Sequence, residues 1–576
     1  MVTAPSLPPR SAQFVGSTSE ERSYKGLIVF ACFVALALIT IALDGPPRPL
    51  SEQAPLSAFS AARAMKHLSV IARAPHPVNS AEHGAVRDYI LGSLREIGLA
   101  PQVQRITGQA QGFETDGALE NIVARLQGSS QEKALLLVAH YDSVAAGLGA
   151  SDDGAAVAAL LETARALKSL PQLKRDIILL FTDGEETHLR GARAFVAGHP
   201  WAKDVGIVLN FEARGVRGPS IMFETSDQNG WLISHFGQAA SHPVANSLSY
   251  EIYKRMPNDT DFTVFRRAGY SGLNFAFIDG LDYYHSKFDS IENIEPRSLQ
   301  HHGDYMLELA REFGNTTEAE AKSANVIYFD VLGMVLVRYS HAVGAIFLGL
   351  ATAMAFAIVY IGVRTQRLHI GGCMFGLLGM VAGIIVTVLG AWIGYQLVYA
   401  THSHRIHFGL RHHPGLYTSA FCILGLACAM ALYAGLSKKI SALHLLVGSC
   451  FGWLALTLVA SWYFPGGTYV FLWPMLFSLV GALLLIVKDR SAAQNILLPL
   501  SGIPAIVIIA PLAHKIFWAF GVGSVLLVSA MVGLVMSLLI GQIGLEHTAR
   551  RWLLPTLLAS TGLVLFVAAI AVSGTT

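Results

Sequence analysis

The sequence predicts an α/β unit, a mostly parallel sheet covered by helices, followed by an all-α membrane domain of several spans. Three observations carry this reading. Of 576 residues 53% are hydrophobic and only 14% charged, against about 25% charged in an ordinary soluble domain, which excludes a purely soluble or disordered chain. The charges are unevenly placed: from Ile327 onward there are 3 acidic residues (Asp330, Asp489, Glu546) and 12 basic ones, leaving 36 acidic and 29 basic before it. Between Ala58 and Phe313, strand-like apolar runs alternate with helical periodicity, the pattern of a parallel sheet buried on both faces. The overall charge of +2 is the sum of two unlike halves and gives no reason to expect a nucleic-acid partner.

The first apolar run, Leu27 to Leu43, follows Arg22 and Lys25 and is closed by Asp44-Gly45-Pro46-Pro47. It is near the minimum of about 17 residues for a span and longer than the roughly 7–15 residues of a signal-peptide core. We therefore expect a transmembrane anchor over 26–43 and, from the basic flank, a cytoplasmic segment over 1–25. Helices are expected at Ala58–Ala74, Ala81–Ile97, Gly154–Leu170, Arg190–Ala197, Gly230–Ala240 and Pro296–Phe313. Strands are expected at Asn121–Leu126, Ala134–Ala139, Asp176–Phe181, Gly206–Phe211, Ser220–Glu224 and Leu273–Phe277. The polar domain so defined covers 51–322.

Beyond it, eight apolar runs recur at about 341–363, 373–399, 417–436, 443–463, 468–487, 495–513, 516–540 and 552–573, making nine spans in all. Alternate loops carry Arg364 and Arg367, Lys438 and Lys439, Lys488 and Arg490, Arg550 and Arg551; the opposite loops carry only Arg405, Arg411 and Lys515. By the positive-inside bias the polar domain lies outside the cytoplasm, on the periplasmic side of a bacterial inner membrane or the lumenal side of an endoplasmic reticulum. The stretch 326–340, with Asp330 and Arg338 inside it, is too charged to span and reads as an interfacial helix. All five cysteines lie in apolar runs, so no disulfide holds the polar domain together.

In such a sheet, ligands bind beyond the carboxyl ends of the strands. There the sequence places His140-Tyr141-Asp142, then Ser151-Asp152-Asp153-Gly154 at a helix start, then Asp183-Gly184-Glu185-Glu186, Glu212, and finally Tyr283-Tyr284-His285. Taken singly, each is an ordinary loop or capping residue. Jointly, imidazoles and carboxylates at four strand ends form the donor set suited to zinc.

These elements, in this order and with a twelve-residue interval from His140 to Asp152, resemble the co-catalytic zinc aminopeptidase family, the M28 peptidases, whose fold also serves glutaminyl cyclases. The resemblance covers roughly 55–315. Pro75-His76-Pro77-Val78-Asn79-Ser80, Tyr328-Phe329-Asp330-Val331-Leu332-Gly333 and the nine-span layout are similar to its membrane branch, the endoplasmic reticulum metallopeptidases. Glu212 stands where the wider family more often has aspartate. The resemblance implies two zinc ions per chain, His140 and Glu212 holding one, Glu186 and His285 the other, and Asp152 bridging them. Two such ions can hold a hydroxide between them and polarise the scissile carbonyl. Glu185, beside a ligand, is the expected general base. Asp142 is expected to orient His140, and Tyr284 to donate to the oxyanion or to pack as an ordinary aromatic.

The expected activity is that of a membrane-anchored exopeptidase removing N-terminal residues from peptides, with the lipid bilayer as its other partner. The alternatives are a single-zinc glutaminyl cyclase-like acyltransferase, a binding module that has lost its metals, and a transporter with an accessory domain. Retention of both His140 and Glu212 opposes the first, the presence of every expected ligand opposes the second, and the scarcity of ionisable residues within spans three to nine opposes the third. Asn258-Asp259-Thr260-Asp261 reads as a polar loop near the site, Asn258 and Asn315 open glycosylation sequons, and Thr401–Pro414 reads as a solvated loop with five histidines, His402, His404, His407, His412 and His413.

Overall fold

The computed structural model describes residues 19–106, 119–317, 322–412, 414–486, 492–543 and 551–572. The anchor helix α1 runs Ser19–Leu43; α2 (Ala61–Ile71) and α3 (Ala81–Glu96) follow it. Both are started by serines, Ser60 and Ser80, whose hydroxyls accept from the backbone amides of Arg63 and His83, satisfying donors that a helix start leaves free. The strands of the main sheet are β1 (Gln102–Ile106), β2 (Leu119–Leu126), β3 (Ala134–His140), β4 (Ile177–Thr182), β5 (Val205–Ala213), β6 (Ile221–Thr225) and β7 (Ser271–Phe277). The helices among and after them are α4 (Ala156–Lys168), α5 (Arg190–Gly198), α6 (Gly230–Ala239), α7 (Ser247–Tyr253), α8 (Asp261–Arg267) and α9 (Pro296–Asn315).

The sheet order is β1-β2-β4-β3-β5-β7-β6. The central pairs β4/β3, β3/β5 and β5/β7 are parallel, while β1/β2, β2/β4 and β6/β7 are antiparallel. Five strands thus share one direction. Side chains alternate across it: Leu135, Leu137 and Ala139 face a core built with α2, α4 and α9, whereas Leu136 and Val138 face Phe195, Phe262 and Phe265 of α5 and α8. Burial on both faces is why these strands read as unbroken apolar runs.

Three local expectations are corrected. The stretch 326–340 is a hairpin, β8 (Val326–Val331) and β9 (Val335–Ser340), not an interfacial helix. Its β-branched residues favour strand, and Leu332 and Gly333 at its tip both have φ of 60°, a left-handed backbone that closes the ribbon. Asp261 does not lie in a loop but opens α8 behind a capping box made by Thr260 and Thr263. The supposed histidine loop is helical as far as His412, inside α11 (Ile370–His412); His413 lies outside the described residues.

The remaining helices are α10 (His341–Arg364), α12 (Pro414–Leu436), α13 (Ala442–Tyr463), α14 (Tyr469–Ile486), α15 (Ala492–Leu500), α16 (Ile503–Phe520), α17 (Val525–Ile543) and α18 (Leu553–Val572). Among the described residues, nine helical stretches are long and apolar enough to cross a membrane, one of them, Ile496–Phe520, combining α15 and α16. Their ends alternate between two sides. On one side Arg255 donates to the Tyr463 carbonyl at 2.7 Å and Ser247 to that of Gly466 at 2.6 Å. On the other, Arg367 donates to the Leu485 carbonyl at 3.2 Å, and Gly26 packs against the backbone of Ile543. Trp462 and Tyr463, 82% and 62% exposed, end α13 beside the Arg255 contact.

Lys515 also departs from expectation. It sits inside α16 rather than in a loop, buried, with its Nζ 2.9 Å from Asp44 at the end of α1 and 3.6 Å from Asp330 on β8. Anchor, hairpin and α16 therefore meet at one ion cluster.

Candidate metal centre

Four parallel strands end at one edge of the sheet and deliver the side chains singled out above. His140 closes β3, Glu186 follows β4, Glu212 lies near the end of β5, and His285 follows β7. Asp152 comes from the irregular turn of helix preceding α4, which includes the cis Asp152–Asp153 peptide bond.

Two donor triads result, His140, Asp152 and Glu212, and Asp152, Glu186 and His285. His140 Nε2 lies 3.1 Å from Asp152 Oδ1 and 3.6 Å from Glu212 Oε2. His285 Nε2 lies 3.0 Å from Asp152 Oδ2 and 3.1 Å from Glu186 Oε1. Asp152 thus turns one oxygen to each triad. Apart from the approach of His285 Nε2, the buried Glu186 Oε1 makes no hydrogen bond, the condition of a group that a cation would satisfy.

The triads fit a divalent metal in geometry, and their carboxylates gather positive charge at the same place. His140 Nδ1 is 3.0 Å from the Asp142 carbonyl, which can only accept, so Nδ1 carries a proton and Nε2 is the nitrogen that would take a metal in exchange for its own proton. Burial opposes charge on His140, but Asp142, Asp152 and Glu212 outweigh it and hold its pKa well above the ordinary value. Burial likewise works against the Asp152 carboxylate, yet the two histidines keep it down at about 2. His285 is drawn up to about 9 against burial by Asp152 and Glu186. Burial first, and the charge of Glu212 next, push the Glu185 carboxyl well above its usual range.

Glu185 belongs to neither triad, though it lines the same cavity as Asp152, Glu186, Glu212 and Tyr284. Asp142 holds this pair from behind: its Oδ1 accepts from the Glu185 amide at 3.0 Å and its Oδ2 from that of Glu186 at 3.3 Å. Tyr284 is stacked on the His285 ring, centroids 3.7 Å apart. Every residue expected at the site is therefore gathered at it.

Two contributors are added by the fold. Asp289, four residues after His285, accepts from the amides of Ser151 at 2.6 Å and Asp152 at 3.1 Å, fixing the backbone that carries Asp152. The other is α16, which lines the cavity from the membrane side and carries no local motif that would reveal this.

Residues 121–310, which carry every donor of the two triads, match the Peptidase family M28 model; one of the nine candidate spans precedes this stretch and eight follow it. Among known proteins, endoplasmic reticulum metallopeptidase 1 of Mus musculus is 29% identical over 365 residues, 59% of this chain and 40% of that protein. The vacuolar membrane protease of Schizosaccharomyces pombe is 34% identical over 255 residues, 42% of this chain and 30% of that one. The chain thus spans less than half the length of these relatives. A solved Porphyromonas gingivalis glutaminyl cyclase covers 44% of this chain and 98% of its own, at 23% identity and a TM-score of 0.36.

Proposed function

We propose that the chain is a membrane-anchored di-zinc exopeptidase that removes N-terminal residues from peptides, the segment 51–322 working outside the cytoplasm and residues 1–25 within it. The observation that carries this is the split of Asp152 between two triads, with a buried carboxylate, Glu185, beside them and unligated. Zinc held by His140 and Glu212, and by Glu186 and His285, would supply Lewis acidity toward a peptide carbonyl and an attacking water.

The chain's own residues do the rest. Glu185 takes the proton from the attacking water and returns it to the leaving amine. Asp142 keeps His140 in the tautomer that presents Nε2 and, through two amide hydrogen bonds, sets the spacing between the proton carrier at 185 and the ligand at 186. Asp289 does the same for Asp152. Tyr284, at the cavity wall, is assigned to donate toward the oxygen that gains charge as the carbonyl is attacked. Support also comes from relatives named as a metallopeptidase and a protease.

The test is metal content with turnover. Elemental analysis of the purified full chain should find two zinc ions per chain, and zinc-loaded protein should release amino acids from the N-termini of short peptides. One tightly held ion, unaffected by His140→Ala, with cyclisation of N-terminal glutamine in place of hydrolysis, would replace this reading by the cyclase one.

A further inference from the structure

A cavity of about 450 Å³ adjoins the metal centre, and its lining is of two chemistries. Part of the lining is ionic and includes Asp152, Glu185, Glu186 and Glu212. Another part is apolar and comes from two separate stretches of the chain, with Leu248 and Ile252 from α7 of the catalytic domain and Leu512, Ile516, Ala519 and Phe520 from α16 of the membrane domain. Positions 512, 516, 519 and 520 recur at the spacing of one helix face, so α16 turns a continuous apolar stripe toward the site. Lys515, on the same face, offers no free cation there because Asp44 and Asp330 engage it.

The placement of α16 is fixed rather than incidental. The Lys515 cluster ties it to α1 and to the β8–β9 hairpin, α7 is held to the membrane domain by the Ser247 and Arg255 hydrogen bonds, and the short turn Leu281–Tyr283 just before His285 rests on α16. A cavity of this size whose apolar lining adjoins convergent ionic groups is the form of a side-chain binding site.

We propose that α16 is one wall of the substrate subsite, so that the membrane domain selects the residue on the acyl side of the cleaved bond, and that it selects a large apolar one. This rests on the peptidase reading. Ile516, placed between Leu512 and Ala519, is the specificity-determining position, and the eight trailing spans thereby acquire a share in the active site.

The test uses the zinc-loaded full chain in detergent and two substrates, the phenylalanine and alanine amides of aminomethylcoumarin. The parent should prefer phenylalanine by at least about tenfold in kcat/KM, the scale on which apolar pockets discriminate. Ile516→Trp, which fills the chamber, should lower phenylalanine hydrolysis about tenfold more than alanine hydrolysis, and Ile516→Leu should keep the parental ratio. A purely structural role for Ile516 would lower both substrates in parallel, and that result overturns the proposal. Binding is read independently of turnover by titrating Glu185→Gln protein calorimetrically with Phe-Gly-Gly and Ala-Gly-Gly. The former should bind about tenfold tighter, and Ile516→Trp should erase the difference; equal binding to the parent background also overturns it. Absence of hydrolysis with both amides would instead refute the peptidase reading, while the titration still decides the subsite.

Discussion

Replacing Lys515 by methionine should destabilise the folded chain by about 3–5 kcal/mol. The Nζ lies 3.0 and 2.9 Å from the two oxygens of Asp44 and 3.6 Å from Asp330, and the three side chains are 10%, 5% and 8% exposed. At an effective dielectric of about 20, a pair at 3 Å is worth roughly 5 kcal/mol, which desolvation and the mutual repulsion of the two carboxylates offset. What remains decisive is the broken state: removing one partner of a buried ion pair strands the others and costs about 3–5 kcal/mol. Methionine matches the lysine stem in length, so packing loss adds little. The assay is denaturant unfolding of the purified full chain in detergent, followed by tryptophan fluorescence. Adding Asp44→Asn and Asp330→Asn to Lys515→Met should recover most of the loss. A single variant within about 0.5 kcal/mol of the parent would refute the reasoning.

Glu185→Gln should lower turnover by about 10²–10⁴-fold, the usual worth of a general base, while elemental analysis finds its zinc intact; Glu186→Gln should lose metal as well. Burial, aided by Asp44 and opposed by Lys515, lifts Asp330 from 3.8 to about 6. A folded-state pKa above the unfolded one gives stability that is complete below about pH 4 and fades as pH rises through 6. Asp330→Asn should accordingly flatten the stability profile between pH 4 and 7, and an unchanged slope there would contradict the assignment. Protease added from the cytoplasmic side should spare Ser51–Lys322 and reach a tag placed at Lys438; digestion of the catalytic segment would reverse the orientation.

The central strands and the clustering of the candidate site residues were legible because both are written locally. A strand buried on two faces must be apolar throughout, as Leu135-Leu136-Leu137-Val138 is, and a candidate ligand carried at its end is the first polar residue after it, as His140 is. What was illegible depends on partners far along the chain. The hairpin 326–340 looked helical and interfacial because its charges, Asp330 and Arg338, carry no information about period; its strand character comes from pairing Val331 with Val335 and from bridging Phe329 to Asn246. Lys515 looked like a loop residue because a lone lysine in an apolar run normally ends it, and only Asp44, 471 positions earlier, makes it tolerable inside a helix. Asp289 had a faint signal, an acid four residues past His285, but its use in holding Ser151 and Asp152 is a tertiary fact.

The hairpin has a practical corollary for anyone who would cut the catalytic domain free. Its inner strand feeds the domain, with Asn229 accepting from the Val326 amide and Ala245 from that of Asp330, while its residues Phe329 and Tyr339 lie against Tyr469 and Trp473 of α14. A fragment ending before Val326 would leave those acceptors bare and the site open on its α16 side, whereas one ending after Ser340 would carry an orphaned aromatic face into water. Neither is the natural unit of purification, and rates measured on such a fragment would describe a different enzyme from the one the whole chain forms.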